Sequence, residues 1–197
     1  MEIKAQTEKA FAKAVQGTKR KYFISAGHRG RGTGATGNGI DEGVETIFLK
    51  EKVTVTLKGM GYRVVNDDDK AQLASVVKAI NAAAEPDDVS LDIHFNAGPS
   101  TATGVECFVR KGARVREKAI AIDLCSRISK TLGIKSRGVK TDDQGQHNKL
   151  AMCSDVRCDA VLLEVCFISN STDAARYKEN RMVVVRDIVT ALTKTYG

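Results

Sequence analysis

Apolar residues along this chain switch between the two-residue period of strands and the longer period of helices. Tyr22-Phe23-Ile24-Ser25-Ala26 is a short apolar run of the kind that forms a buried strand, and it leads into a glycine-rich loop over 27–39. From Asp41, a candidate cap, the spacing of Val44, Ile47, Phe48 and Val55 predicts a helix that stops at Gly59-Met60-Gly61 and is followed by a strand over 62–65. An alanine-rich helix over 71–83, strands over 89–94 and 105–109, and a long amphipathic helix over 115–132 continue the alternation. The most hydrophobic strand, over 160–168, and a closing helix over 181–195 complete it. This order predicts an α/β fold, with a mostly parallel or mixed twisted sheet covered by helices on both faces. Residues 21–197 read as one domain, and the weaker helical pattern over 2–16 reads as an accessory N-terminal helix within 1–20.

Composition narrows the setting. The 197 residues are 42% apolar, enough for one core, and a net charge of +7 favours polyanionic surroundings such as nucleic acid, acidic lipid or bacterial wall polymers. Aromatic residues make up only 5%, which leaves few platforms for stacking bases and makes nucleic acid an unfavoured partner. The first 21 residues contain no long apolar run, so neither a signal peptide nor a membrane span is expected, and synthesis in the cytoplasm is. Five cysteines without framework spacing read as free thiols, and a monomer is the default.

The chemistry concentrates at strand ends, where α/β sheets gather reactive groups. Glu164 interrupts an apolar strand. Burying an unpaired carboxylate there costs several kcal/mol, so a cation, a metal or a raised pKa must compensate it. His94 and Asn96 alternate onto one side of the strand over 89–94 and just beyond, and His28 follows the first strand; a hydrogen-bonded structural role competes with ligation for each. A catalytic zinc needs three protein ligands, commonly two histidines and a carboxylate, with a fourth position open. Glu42, in the first helical turn after the glycine loop, is a candidate third ligand. Glu45, one turn along the same face, is the alternative. His147 lies in a polar stretch that suits the rim of a groove, as a solvent-facing residue or a substrate contact. Cys166 is expected to share the face of Glu164. The run Gly32-Thr33-Gly34-Ala35-Thr36-Gly37 spells a dinucleotide fingerprint, yet the helix begins too late to present its N-terminus to a pyrophosphate.

Four segments in order carry a family resemblance: Ile24-Ser25-Ala26-Gly27-His28; the Glu42 helix ending at Gly61-Tyr62; Leu91-Asp92-Ile93-His94-Phe95-Asn96-Ala97; and Val161-Leu162-Leu163-Glu164-Val165-Cys166-Phe167-Ile168-Ser169-Asn170. They resemble the motifs of the zinc-dependent N-acetylmuramoyl-L-alanine amidases of the Amidase_3 type, from Lys21 almost to the end of the chain. The resemblance implies a hydrolase that cuts the amide between N-acetylmuramic acid and L-alanine in peptidoglycan. It also implies one zinc ion per chain on His28, Glu42 and His94, with Glu164 as the catalytic carboxylate. A related zinc peptidase or deacetylase is the neighbouring alternative. Arg29 stands where the family usually has a second glycine, Gly43 where a lysine is frequent, and Cys166 where a small residue is. Without an export signal, a phage or prophage endolysin, released to the wall late, fits the pattern better than a housekeeping autolysin. Its positive surface would then hold it to anionic wall polymers.

Overall fold

The computed structural model describes residues 20–28, 30–145 and 149–194; the expected helix over 2–16, Arg29 and His147 lie outside them. In chain order the elements are β1 (Lys21–Ala26), β2 (Thr36–Gly37), β3 (Ile40–Asp41), α1 (Glu42–Gly59), β4 (Arg63–Asn66), α2 (Leu73–Ala83), β5 (Val89–Asn96) and β6 (Val105–Val109). Then come α3 (Val115–Leu132), β7 (Ser136–Thr141), a 3₁₀ turn (Asp142–Gln144), the short α4 (Ala151–Ser154), β8 (Asp159–Phe167) and α5 (Ser171–Thr193). Six strands form one sheet in the order β4-β1-β5-β8-β6-β7. All neighbours are parallel except β6 against β8, so the sheet is mixed, as the pattern predicted.

The four central strands of the sheet are buried on both faces, and the edge strands β4 and β7 are not. Leu49, Val53 and Leu57 of α1, Ile120, Leu124 and Ile128 of α3, and Val184, Ile188 and Leu192 of α5 pack with Ile24, Leu91 and Leu163 into the larger core. Val76, Val77 and Ile80 of α2 and Met152 of α4 pack on Phe23 and Ala160 on the other face. Burying each such aliphatic side chain contributes about 1.5–3 kcal/mol, which favours apolar residues along the central strands.

Three features go beyond or depart from the local pattern. The α1 helix exists, but its buried face is Thr46, Leu49, Lys50, Val53 and Leu57, whereas Val44 and Val55 are exposed. Lys50, a charged residue, thus lies on the core side, its ammonium held by Asp67 at 3.1 Å and by Asp69. The closing helix starts ten residues before 181. Asn170 caps it, its side chain accepting from the Thr172 and Asp173 amides. The edge strand β7 was not anticipated, because Ser-Arg-Gly-Val-Lys-Thr carries one apolar residue in six, and an edge strand need not be apolar.

Candidate active site

The loop after β1 folds back through a two-residue hairpin, β2 with β3, whose turn Asn38-Gly39 has φ of +49° and +73°. Positive φ at both positions is the signature of a type I′ turn, for which Asn-Gly is the preferred pair. The hairpin delivers the N-terminus of α1 beside the start of the loop. Asp41 then caps α1, accepting from the Val44 amide at 3.3 Å while also taking the Gly32 amide at 2.9 Å. Gly43 locks the fold-back: its amide donates to the Thr33 carbonyl and its own carbonyl accepts from the Gly30 amide. A Cβ at 43 would lie 2.1 Å from the Gly30 carbonyl oxygen, so the loop admits no larger residue there.

This packing places the Glu42 carboxylate, which is buried, between two histidines. Its Oε1 lies 3.8 Å from His28 Nε2 and 3.3 Å from His94 Nδ1, and one donor atom from each of the three residues falls within 4.8 Å of the others. The rings of His28 and His94 meet edge to face, with centroids 5.3 Å apart. Backbone amides fix the carboxylate, Ala35 donating to Oε2 at 2.8 Å and Phe95 to Oε1 at 3.0 Å. Burial disfavours the ionised Glu42, but His94 and these two amides outweigh it and hold the carboxyl below its ordinary range.

Asp92 is on the same face of β5 as His94 and meets its other ring nitrogen, Nε2, at 3.1 Å. Burial alone would favour the neutral imidazole; Asp92, Glu42 and Glu164 reverse this and push His94 well above the ordinary range. Nδ1 is thereby the nitrogen aimed at Glu42 and His28. A carboxylate behind a ligating histidine is the usual arrangement around protein metal sites.

Beside His94 in the sheet stands Glu164, and beyond Glu164 stands Glu106. Glu164 Oε2 is buried without a hydrogen-bond partner among the described residues. Burial, opposed in part by His94 and reinforced by Glu42, Glu106 and Asp92, raises its pKa to about 7. Glu106 is held differently: Asn96 Nδ2 donates to Oε1 at 2.6 Å, and Arg137 Nε and Lys140 Nζ meet Oε2 at 2.7 and 2.5 Å. Burial works against its charge, but the two cations prevail and lower its pKa. All of these residues except Asp92 line one cavity of 580 Å³, with Phe95, Phe108, Gln144, Leu162 and Phe167 among its other walls.

Of the residues singled out in the sequence, His28, Glu42, His94, Asn96 and Glu164 therefore meet in one cavity. Glu45 does not: its Oε2 accepts from the Tyr177 hydroxyl at 2.9 Å and lies 3.8 Å from Arg181, which turns it toward α5. Cys166 is also elsewhere, in the larger core, because a bulge separates the pairs His94–Glu164 and Asn96–Phe167 and puts Phe167 on the cavity side. Asp92 and Glu106 were missed although a signal existed. Asp92 is two residues before His94, and Glu106 interrupts an apolar strand just as Glu164 does. Arg137 and Lys140 gave none.

Residues 23–194 match the family model described as N-acetylmuramoyl-L-alanine amidase. The chain belongs to that family. Over 165 residues it is 30% identical to the uncharacterized protein YqiI of Bacillus subtilis, a stretch that covers 83% of this chain and 76% of YqiI. It is 28% identical over 160 residues to the N-acetylmuramoyl-L-alanine amidase LytC of the same organism, covering 80% of this chain but only 31% of LytC. The chain thus spans about a third of that longer relative. Among solved structures, the catalytic domain of the amidase CwlV from Bacillus (Paenibacillus) polymyxa superimposes with a TM-score of 0.73 at 26% identity, over 88% of this chain and 96% of that domain. The chain thus has the fold of an amidase catalytic domain, and the cavity described above is the candidate for its active site. This family assignment takes the place of the peptidase and deacetylase alternatives.

Proposed function

We propose that this amidase domain hydrolyses the bond between N-acetylmuramic acid and the L-alanine of the peptidoglycan stem peptide, with one zinc ion held by His28, Glu42 and His94 and with Glu164 moving the proton. The observation that carries the reading is the group of three donor atoms within 4.8 Å, in the same cavity as an unpartnered carboxylate oxygen.

The donor set fits zinc. Two imidazole nitrogens and one carboxylate oxygen at bond lengths near 2.1 Å around a tetrahedral ion lie roughly 3.4 Å from one another, and the observed separations of 3.3 and 3.8 Å bracket that value. The second coordination layer is also in place, through Asp92 on His94 and two amides on Glu42. Glu45, held by Tyr177, supports Glu42 as the carboxylate ligand. When bound, zinc supplies Lewis acidity for the scissile carbonyl and lowers the pKa of water.

The remaining work belongs to the chain. Glu164 Oε2 accepts the proton of the attacking water as its oxygen bonds to the lactyl carbonyl carbon. When the carbon–nitrogen bond breaks, Glu164 returns that proton to the departing alanine nitrogen, leaving a carboxyl on the muramic acid and a free amine on the peptide. Its burial and the acids around it favour the protonated form that Glu164 must take up between the two transfers. Asn96 supports this cavity indirectly, by holding Glu106. Mass spectrometry of purified peptidoglycan digested by the zinc-loaded protein, beside a chelated sample, tests the reading. Peptides with a new free N-terminal alanine that disappear on chelation are expected; cleavage only at glycosidic or internal peptide bonds would overturn it.

A further inference from the structure

The far wall of the cavity carries a charge arrangement that Glu106 alone does not explain. Arg137 and Lys140 both converge on Oε2 of this one carboxylate, so the pair leaves one positive charge in excess. Their side chains remain 31% and 29% exposed, and both line the cavity. Arg137 uses its Nε on Glu106 and lays its guanidinium 4.9 Å from the Phe167 ring, so its terminal nitrogens have no acceptor among the described residues. Lys140 likewise retains N–H donors beyond the one given to Glu106, over the Phe108 ring.

Arg137 and Lys140, three residues apart, share this wall only through an irregularity. The pairing of β6 with β7 slips between Val105–Ser136 and Glu106–Gly138, leaving Arg137 as the extra residue of a bulge, and Gly138 takes the positive φ of 79° that such a bulge uses. Bulges of this kind re-aim side chains beside active sites.

The row His94, Glu164, Glu106, Gly138 crosses four adjacent strands. Strands lie about 4.8 Å apart, so β7 stands roughly 10 Å from Glu164. Two residues of extended peptide span about 7 Å, which leaves the second residue of a peptide, with its own side chain, able to cover that distance. We propose that Arg137 and Lys140 form a subsite for a free carboxylate carried by the second residue of the peptide on the leaving-amine side, so that the domain prefers stem peptides in which this group is acidic over those in which it is amidated. The inference rests on the amidase reading for the direction in which substrate lies.

The test uses a matched pair of N-acetylmuramoyl tetrapeptides that differ only in glutamate or isoglutamine as second residue, and the corresponding pair of free peptides. Wild-type protein is expected to show roughly tenfold or greater preference for the acidic substrate in kcat/KM, from charge-assisted hydrogen bonds that the amide cannot match. The acidic free peptide is expected to bind more tightly by a similar factor in calorimetric titration. Arg137→Gln and Lys140→Gln, each of which leaves one cation on Glu106, should bring both ratios toward one at unchanged zinc content and with the fold retained by circular dichroism. Equal rates and equal binding for the two wild-type pairs would overturn the proposal without touching the amidase assignment, and they decide it even if neither variant folds. If wild-type protein cleaves neither substrate, the amidase reading fails while the peptide titration still decides the subsite. Binding preference that survives both substitutions would assign the two cations to Glu106 alone.

Discussion

Replacing Glu164 by Gln separates a group kept for chemistry from one kept for the fold. In the metal-free protein the carboxyl ionises near pH 7 when folded and near 4.5 when unfolded, because burial and the neighbouring acids Glu42, Glu106 and Asp92 disfavour its charge. Between those values the folded state binds the extra proton, so stability falls as pH rises and the loss is complete above pH 7. At 1.36 kcal/mol per pH unit the difference amounts to about 3 kcal/mol. The amide carries no charge but introduces an N–H₂ donor where Oε2 has no partner, and that offsets about 1–2 kcal/mol. Glu164→Gln in chelator is therefore expected to be more stable than wild type by about 1–3 kcal/mol at pH 8, with the gain vanishing near roughly pH 5.5 and turning into a deficit of about 1 kcal/mol at pH 4.5. Urea unfolding at both pH values, read by circular dichroism, measures it. His94 also has a raised pKa, to which Glu164 contributes, so part of its stabilisation is lost with the carboxylate and the gain is expected toward the lower end of that range. Hydrolysis should be abolished in the same variant while one zinc per chain is retained. A variant less stable than wild type at pH 8, or one that turns over substrate, would refute the account of Glu164 as a destabilised proton carrier.

Chelation should lower the melting temperature and abolish hydrolysis. Alanine at His28, Glu42 or His94 should reduce bound zinc well below one per chain by atomic emission, whereas Glu45→Gln should retain it, since Glu45 faces Tyr177. Asp92→Asn should weaken zinc binding roughly 10- to 100-fold in competition with a chromogenic chelator, the usual effect of removing a carboxylate behind a ligating histidine; unchanged affinity would deny it that role. Gly43→Ala should destabilise the fold by about 1–3 kcal/mol in denaturant unfolding, because its Cβ meets the Gly30 carbonyl. If the net charge of +7 holds the protein to anionic wall polymers, lysis of whole cell walls should fall steeply between low and high salt, and cleavage of a neutral soluble substrate should not.

Much of this protein is determined by local pattern. The apolar runs of β1, β5, β6 and β8 are legible because a strand buried on both faces admits little else, and a polar residue inside one, as at Glu164, is conspicuous for the same reason. The position of His94 and Asn96 on one side follows from strand alternation. The fold-back of Glu42 toward His28 was readable as a possibility, though the choice between Glu42 and Glu45 was not: one helical turn separates them, and only the packing of α5 against α1 commits Glu45 to Tyr177 and Arg181. The buried face of α1 was also undetermined, because Lys50 sits on it and its partners Asp67 and Asp69 come from beyond the helix. The two bulges belong wholly to the tertiary structure. A slip of one residue between paired strands exchanges the faces of every side chain beyond it. It puts Phe167 rather than Cys166 at the cavity and lets Arg137 and Lys140, three residues apart, both reach Glu106. No local period in the chain records such a slip, since it depends on which strands become neighbours and on where their hydrogen bonds fall into register.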